Sequence, residues 1–442
     1  MAFSLFKKKE VVVADIAVIA QDESFWSNVK KQFRKNKLSV LSVRVIFFLA
    51  FLALFADFIA NEKPLVAGFK GGVYFPVLKA YSVDMGLSEW PADFQNINWK
   101  ELSYDWVVFA PIPYLPKNLD ENNIHSVSPF ATQNVPSTRW RHWLGTDELG
   151  HDILAAMIHG TRIALLVGVV SMAIASIIGI ILGAMAGYFG DERLKMSRGR
   201  LIFNIVFFVM ALFYGFGSRT YILKDAIGIS FGSFFFELGI SLLIIFALMW
   251  IANLIARILK RFPFFAKKIS IPVDLIVLRL VEVMVSIPTL FLIISVVSIA
   301  KPSLFIVMAI IGLTGWTGIA RFIRAELLRV RSLEYIEASH ALGYSEMRIL
   351  FRHAIPNALS PVLISIAFGI AAAILTESSL SFLGIGVPAE TLTWGSLLSS
   401  ARQSPTAWWL AIFPGFAIFI TVTIYNLVGE GLADALDPRL RK

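Results

Sequence analysis

Residues 331–361 read RSLEYIEASHALGYSEMRILFRHAIPNALSP, a polar interruption between two apolar runs that are each long enough to cross a membrane. Tyr335, Ala338, Ser339 and Leu342 recur at helical spacing while Glu334, Glu337 and His340 fall elsewhere. The pattern predicts a short surface helix over 333–342 with a small, mildly apolar stripe. Gly343 suits the left-handed position after a helix, Ser345 can N-cap a second helix from Glu346, and Pro356 is expected to stop it. The result is two short helices hinged at a glycine and held by a span on either side. On turn chemistry alone the same stretch is also an ordinary connecting loop.

The surrounding composition fixes the setting. The 442 residues are 57% hydrophobic and 16% charged, with mean hydropathy +0.71, far more apolar than a soluble domain. The net charge of +9 sits in clusters at the ends of apolar runs, which is positive-inside patterning and argues against nucleic acid as a partner. There is no cysteine, hence no disulfide framework and no thiolate metal site. The first apolar run starts only near Leu38, too late and too long for a cleavable signal, so the chain is expected to insert by its first span.

Taken in order, 1–37 reads as a cytoplasmic tail ending in an interfacial helix, with Phe25, Trp26, Val29 and Phe33 opposite Lys30, Lys31, Arg34 and Lys35. The first span is 38–60. Residues 61–150 form a large extracytoplasmic loop whose aromatic content suggests an ordered cap with a few short strands, although its prolines argue against a regular sheet. In 143–165, WLGTDELGHDILAAMIHGTRIAL, Thr146 or Asp147 is a candidate helix cap. His151 and His159 lie eight apart without a third ligand at helical spacing, a poor metal pattern. The second span, within 151–190, carries Gly179, Gly183 and Gly187 at four-residue intervals, a ridge for close helix packing.

Residues 191–272 read as an inserted helical pair, with spans over 201–217 and 231–256 joined by a short connector, or, because the first is short, as a re-entrant hairpin. The remainder, 273–442, holds a span kinked at Pro288, a second ending in Arg321, Arg324, Arg329 and Arg331, the polar stretch 331–361, and two more spans. Glu377 is expected near the outer interface, marked by Trp394, Trp408 and Trp409. Assigned inside, each short basic segment carries four or more Lys or Arg, against one or two outside. Eight spans with both termini cytoplasmic follow.

Several stretches carry a resemblance. Glu337-Ala338-Ser339, Gly343, Ile349 and His353-Ala354-Ile355-Pro356-Asn357 resemble the EAA loop of ABC importer permeases, with Ser339 for the third Ala. The 143–165 stretch resembles the LGTDxxGRDxxSRxxxGxR signature of the peptide and nickel branch, with His151 for Arg and Ala155-Ala156 for Ser-Arg. Arg279 and Glu282 resemble its M-R-x-x-D. The ending NLVGEGLADALDPRLRK resembles N-L-x-G-D-G-L-R-D-x-L-D-P-R, with Glu430 for Asp and Ala433 for Arg. The chain is thus similar to the C-type subunit of oligopeptide and dipeptide importers. Its outer loop, with KPLVAGFKGGVYFPVLK and APIPY, looks most like the microcin C and oligopeptide branch.

The resemblance implies an all-α polytopic membrane protein with the type I ABC importer permease fold, six core spans plus the two inserted ones. It implies that 331–361 is the coupling loop, with Glu337, Ala338, Ser339, Gly343, Ile355 and Pro356 meeting a cytoplasmic ATPase. The implied partners are a second permease subunit, two P-loop ATPase subunits, an extracytoplasmic peptide-binding protein and membrane lipid. With no GxxxxGK[ST] in the sequence, ATP is expected to be bound by partner subunits, and no cofactor or catalytic residue is assigned here. An ion-coupled secondary transporter would show acids at mid-span and an internal repeat; here the acids cluster at span ends. A membrane enzyme would need a convergent nucleophile, base and acid, or a set of metal ligands, and none is visible. A nickel permease is the alternative within the same branch.

Overall fold

The fold is that of a computed structural model, which describes residues 25–437 apart from Asn96, Ser230, Ala300, Lys301 and Ala389. The tail 1–24 and the last five residues of the C-terminal signature lie outside the described residues, as do the side chains of Phe25 and Trp26. The first helices are α1 (Phe25–Phe33), α2 (Lys37–Leu54) and α3 (Ala56–Ile59), followed by β1 (Pro64–Phe69), β2 (Gly72–Tyr74), α4 (Pro76–Asp84) and β3 (Trp106–Phe109). Then come α5 (Ile153–Ala184), β4 (Lys195–Ser197), α6 (Arg198–Leu212), α7 (Thr220–Ile229), α8 (Phe231–Leu259), α9 (Pro263–Ala266) and β5 (Lys268–Ser270). The last part holds α10 (Val273–Ser286), α11 (Thr289–Ile299), α12 (Leu304–Val330), α13 (Glu334–Ala341), α14 (Glu346–Ile349), α15 (Ile355–Ala358), α16 (Ser360–Phe382), α17 (Trp394–Gln403) and α18 (Trp409–Leu436). Among the described residues seven helices are long and apolar enough to cross a membrane, and α10 with α11 makes an eighth span if the broken pair counts as one.

The chain divides into two compact units. The first holds the residues up to Gly179, Ile287–Phe322 and those from Asn357 on; the second holds Ile180–Ser286 and Ile323–Pro356.

In the first unit the segment 61–150 is an ordered cap, with an antiparallel sheet of order β2-β1-β3 over the aromatic cluster Phe69, Phe94 and Trp99. Its prolines sit where they do no harm: Pro64 opens β1 beside a register shift, and Pro76 starts α4 where no helical N–H is needed. Among the spans α16 packs on α18, and α18 on α2 and α1. Val29 is buried, so α1 is seated on its own chain and does not rest on lipid alone. Ser39 Oγ donates to the Leu427 carbonyl at 3.0 Å, and a Cβ at Gly431 would meet that hydroxyl at 2.2 Å. With lipid as apolar as the side chains, such close backbone approach is what holds helices together.

Two tryptophans expected at the interface are buried. Trp394 and Trp409 donate their indole N–H to the carbonyls of Met157 and Thr146, each at 3.0 Å, which satisfies their one polar atom and lets the rings pack inside; only Trp408 is exposed. Glu377 is likewise buried, accepting from Ser381 Oγ at 2.6 Å.

The second unit contains the inserted pair, α6 packed on α8, whose connector is itself helical (α7). Arg219 donates to Ser241 Oγ at 3.1 Å and is paired with Glu237, so the polar end of the pair is internally neutralised. Strands β4 and β5 pair antiparallel, Met196 opposite Ile269, and close the other end. The expected kinked span over 274–300 is instead two helices, α10 and α11, parted at Ile287 and Pro288. Pro288 cannot donate to the ladder and disfavours helical geometry in the residue before it.

Candidate functional site

The polar stretch folds largely as its turn chemistry demands. Helix α13 ends in a Schellman motif: the Gly343 N–H donates to the His340 carbonyl at 2.9 Å and the Tyr344 N–H to the Ser339 carbonyl at 3.2 Å. Gly343 takes φ +78°, and nothing stands within 4 Å of where its Cβ would be. The constraint there is the backbone angle alone.

Ile336 is fully buried and anchors α13, while Glu334, Tyr335, Glu337, Ala338 and Leu342 are exposed, Leu342 at 72%. Ser339 departs from the expected exposed stripe. It points inward, which a serine can do because its Oγ donates to the Tyr335 carbonyl one turn back at 2.7 Å.

Beyond the glycine, Ile349 and Leu350 are buried and Tyr344, Met347 and Phe351 exposed. The outer surface therefore sets large apolar side chains among Glu334, Glu337, Glu346 and Arg348. Pro356 does not stop the helix. A π-turn over Leu350–Ala354 precedes α15, with the Ile355 N–H donating to the Leu350 carbonyl, and this widened turn accommodates a residue that lacks an N–H. Ile355 is half-buried and Pro356 exposed.

Within the same unit this surface is tied to the end of the second span. Tyr188, fully buried, donates its hydroxyl to Glu346 Oε2 at 2.7 Å, and Arg331 Nη1 donates to the Gly187 carbonyl at 3.3 Å. Arg324 grips the Asp274 carboxylate through two nitrogens, Nη2 to Oδ2 at 2.6 Å. A Cβ at Gly187 would lie 2.6 Å from the Arg324 carbonyl oxygen. In the first unit, a Cβ at Gly179 would lie 2.8 Å from Ile319 Cβ and 2.9 Å from the Trp316 carbonyl oxygen. Gly183, on the same helix between these positions, is buried.

The segment 120–152 of the first unit holds a charged knot that the sequence reading missed. His142 is fully buried, with Nδ1 2.8 Å from Asp152 Oδ2 and Nε2 2.9 Å from Asp120 Oδ2. Both ring nitrogens face carboxylates, an arrangement that favours the doubly protonated imidazolium. Burial pushes its pKa down, but the two carboxylates outweigh this and leave it above the ordinary value. Asp120, for which burial is opposed by hydrogen bonds from His142, Asn123 and the Asn122 N–H, is held down at about 2. Asp152 also caps α5, accepting from the Ala155 N–H at 2.6 Å. The cap is thus Asp152 and not Thr146 or Asp147, which close the preceding turn: Thr146 Oγ1 donates to the Asn123 carbonyl, and Asp147 accepts from the Leu149 and His151 N–H groups. His151 lies on Asp147 at 2.7 Å and His159 on the Ala60 carbonyl at 2.9 Å. The one signal available was a histidine just ahead of the LGTD run.

Among the spans of the first unit lies an apolar cavity of about 290 Å³, lined by Met172, Thr314, Gly318, Phe322, Gly369 and Thr376 among others.

Residues 262–442, which contain the whole hinge segment, match the model of the binding-protein-dependent transport system inner membrane component, and 24–67 match the N-terminal transmembrane domain of oligopeptide transport permease C. Over 412 residues, 92% of this chain and 95% of the other, the sequence is 30% identical to the inner membrane ABC transporter permease protein YejE of Escherichia coli. The chain belongs to this permease family. It is also 26% identical over 439 residues to the peptidoglycan transport system permease protein YejE of Agrobacterium fabrum, covering 94% of this chain and 92% of that one. To the dipeptide transport system permease protein DppC of Bacillus subtilis it is 29% identical over 322 residues, 72% of this chain and 75% of that one. The permease is a multi-pass inner-membrane subunit of an ATP-driven importer, of a family without an ATPase domain of its own. The inserted pair lies outside both matched segments.

Proposed function

We propose that this permease imports peptides, and that cytoplasmic ATPase subunits drive it through the surface of α13 and α14, with Glu337, Ala338, Gly343, Ile355 and Pro356 at or beside the contact and Ser339 supporting it from behind. The observation that carries this reading is the hinge itself. A short helix anchored by Ile336 presents Tyr335, Ala338 and Leu342 outward and ends at a left-handed glycine, and the next helix, α14, is tied through its Glu346 to Tyr188. Force applied to such a surface is transmitted and not absorbed, provided that the spans have two packings of similar energy.

The names of the relatives support a peptide as substrate. The 290 Å³ cavity, with hydroxyls and glycines on an otherwise apolar wall, is the stretch of this chain best suited to line the path, opposite a second permease subunit. An extracytoplasmic binding protein delivers the peptide, ATP is held by the partners, and both termini are cytoplasmic.

Reconstituted with its second permease, two ATPases and binding protein, the subunit should support peptide uptake into vesicles only when ATP is hydrolysed. Uptake driven by an ion gradient without ATP would contradict the reading.

A further inference from the structure

The inserted pair ends in a pocket that the import reading does not use. A cavity of about 260 Å³ is lined by Lys195 and Lys268 from the β4–β5 ribbon, Arg200 from α6, Asn253 and Arg257 from α8, and Lys260 just beyond it. No acidic residue lines it, and among the described residues none of the five cations is paired with a carboxylate. Five like charges around so small a space repel one another, and the repulsion grows as the surroundings become less polar. The arrangement is favourable once an anion occupies it.

The setting identifies the anion. The pocket lies at the ends of two apolar helices, which show Ile205, Val206, Trp250 and Ile251 exposed further along them, away from the pocket, and Phe262 and Phe264 exposed in the link to the ribbon. Apolar side chains above, aromatic rings beside and cations at the end are the layers of a membrane interface. A soluble anion would use the charges and leave the apolar wall bare. We propose that this pocket binds the phosphate headgroup of an anionic phospholipid, with its acyl chains along α6 and α8. The inserted pair is then a lipid-reading appendage. This inference is independent of the coupling surface and stands or falls separately from it.

The full chain, purified with its partner subunits and placed in bilayer discs, should retain one phosphatidylglycerol per chain in preference to phosphatidylcholine with the same acyl chains, as counted by native mass spectrometry. The triple substitution Arg200→Gln, Arg257→Gln and Lys260→Gln should weaken retention on the order of 100-fold, at the usual contribution of a basic residue near an anionic surface. Lys260→Gln alone, beyond the helix end and exposed, should weaken it several-fold without burdening the fold. Replacing Lys30, Arg34 and Lys35 by Gln removes the same charge elsewhere and should leave retention unchanged. Equal retention of the zwitterionic lipid, an unaffected triple variant, or the same loss in the remote variant would overturn the proposal. Displacement by millimolar glycerol 3-phosphate would show that the site takes a free phosphate ester, and would overturn the lipid assignment.

Discussion

At Gly343 one backbone angle decides the outcome. Because the space around it is open, a side chain there meets no neighbour, and the cost of Gly343→Val is the strain of a β-branched residue at φ +78°, about 1 to 3 kcal/mol. That strain should unseat α13, so ATPase co-purification or substrate-stimulated hydrolysis falls while insertion is unchanged. Gly343→Asn, which tolerates the left-handed region, should keep most of the activity. A valine variant that transports like the parent would reduce this stretch to a connector. His142 makes a second prediction at this scale. Its raised pKa means that its contribution to the cap is complete below the ordinary imidazole range and is lost as the pH rises through the raised value. Asp120, held at about 2, contributes above its ordinary 3.8 and loses that contribution as the pH falls toward 2. Protection of the cap amides against hydrogen exchange, taken relative to the intrinsic rate at each pH, should therefore be greatest between these limits. His142→Gln should lower that protection between the limits, since buried Asp152 and half-buried Asp120 lose their cation at up to about 3 to 5 kcal/mol, and should change it less outside them. Protection that ignores both pH and substitution would refute the knot.

At the scale of elements, Tyr188→Phe removes the hydroxyl that ties the end of the second span to Glu346. The loss is about 1.5 to 3 kcal/mol for a bond to a charged group. Assembly should survive and coupling efficiency, read as peptide transported per ATP, should fall; an unchanged ratio would show that the tie is only structural. Gly187→Leu should lower thermal stability, because the neighbour its Cβ would strike is the Arg324 backbone, which cannot rotate away. The contrast between elements also shows what a sequence discloses. Helix α13, its glycine stop and the apolar spans were legible because each follows from local rules of period and turn. Pro356 was misread because the π-turn that absorbs it depends on a wider local context than the proline itself. Trp394 and Trp409 were placed at the outer interface by residue type and Glu377 by its distance along its span, and neither rule foretells burial: the indoles find partners more than two hundred positions away, and Glu377 one turn on at Ser381. The His142 knot joins positions 120, 142 and 152 by the folding of an irregular cap, which no period announces.

At the scale of the whole molecule, the charge asymmetry predicts an orientation that a chain without cysteine makes easy to test. Single cysteines at Ser218 and Lys224 should react with impermeant label from outside, and at Lys260 and Lys268 only after the membrane is opened. The reverse pattern would overturn the inserted-pair topology. The account's central claim is that the outward face of α13 meets the ATPase. The most direct measurement places a single cysteine at Ala338 or Leu342 in the assembled complex and cross-links it with a short bifunctional reagent. A covalent adduct with an ATPase subunit is expected from either position, weakened by Gly343→Val, and none from a control cysteine at Thr220. Absence of the adduct from both α13 positions, in a complex that still transports, would contradict it.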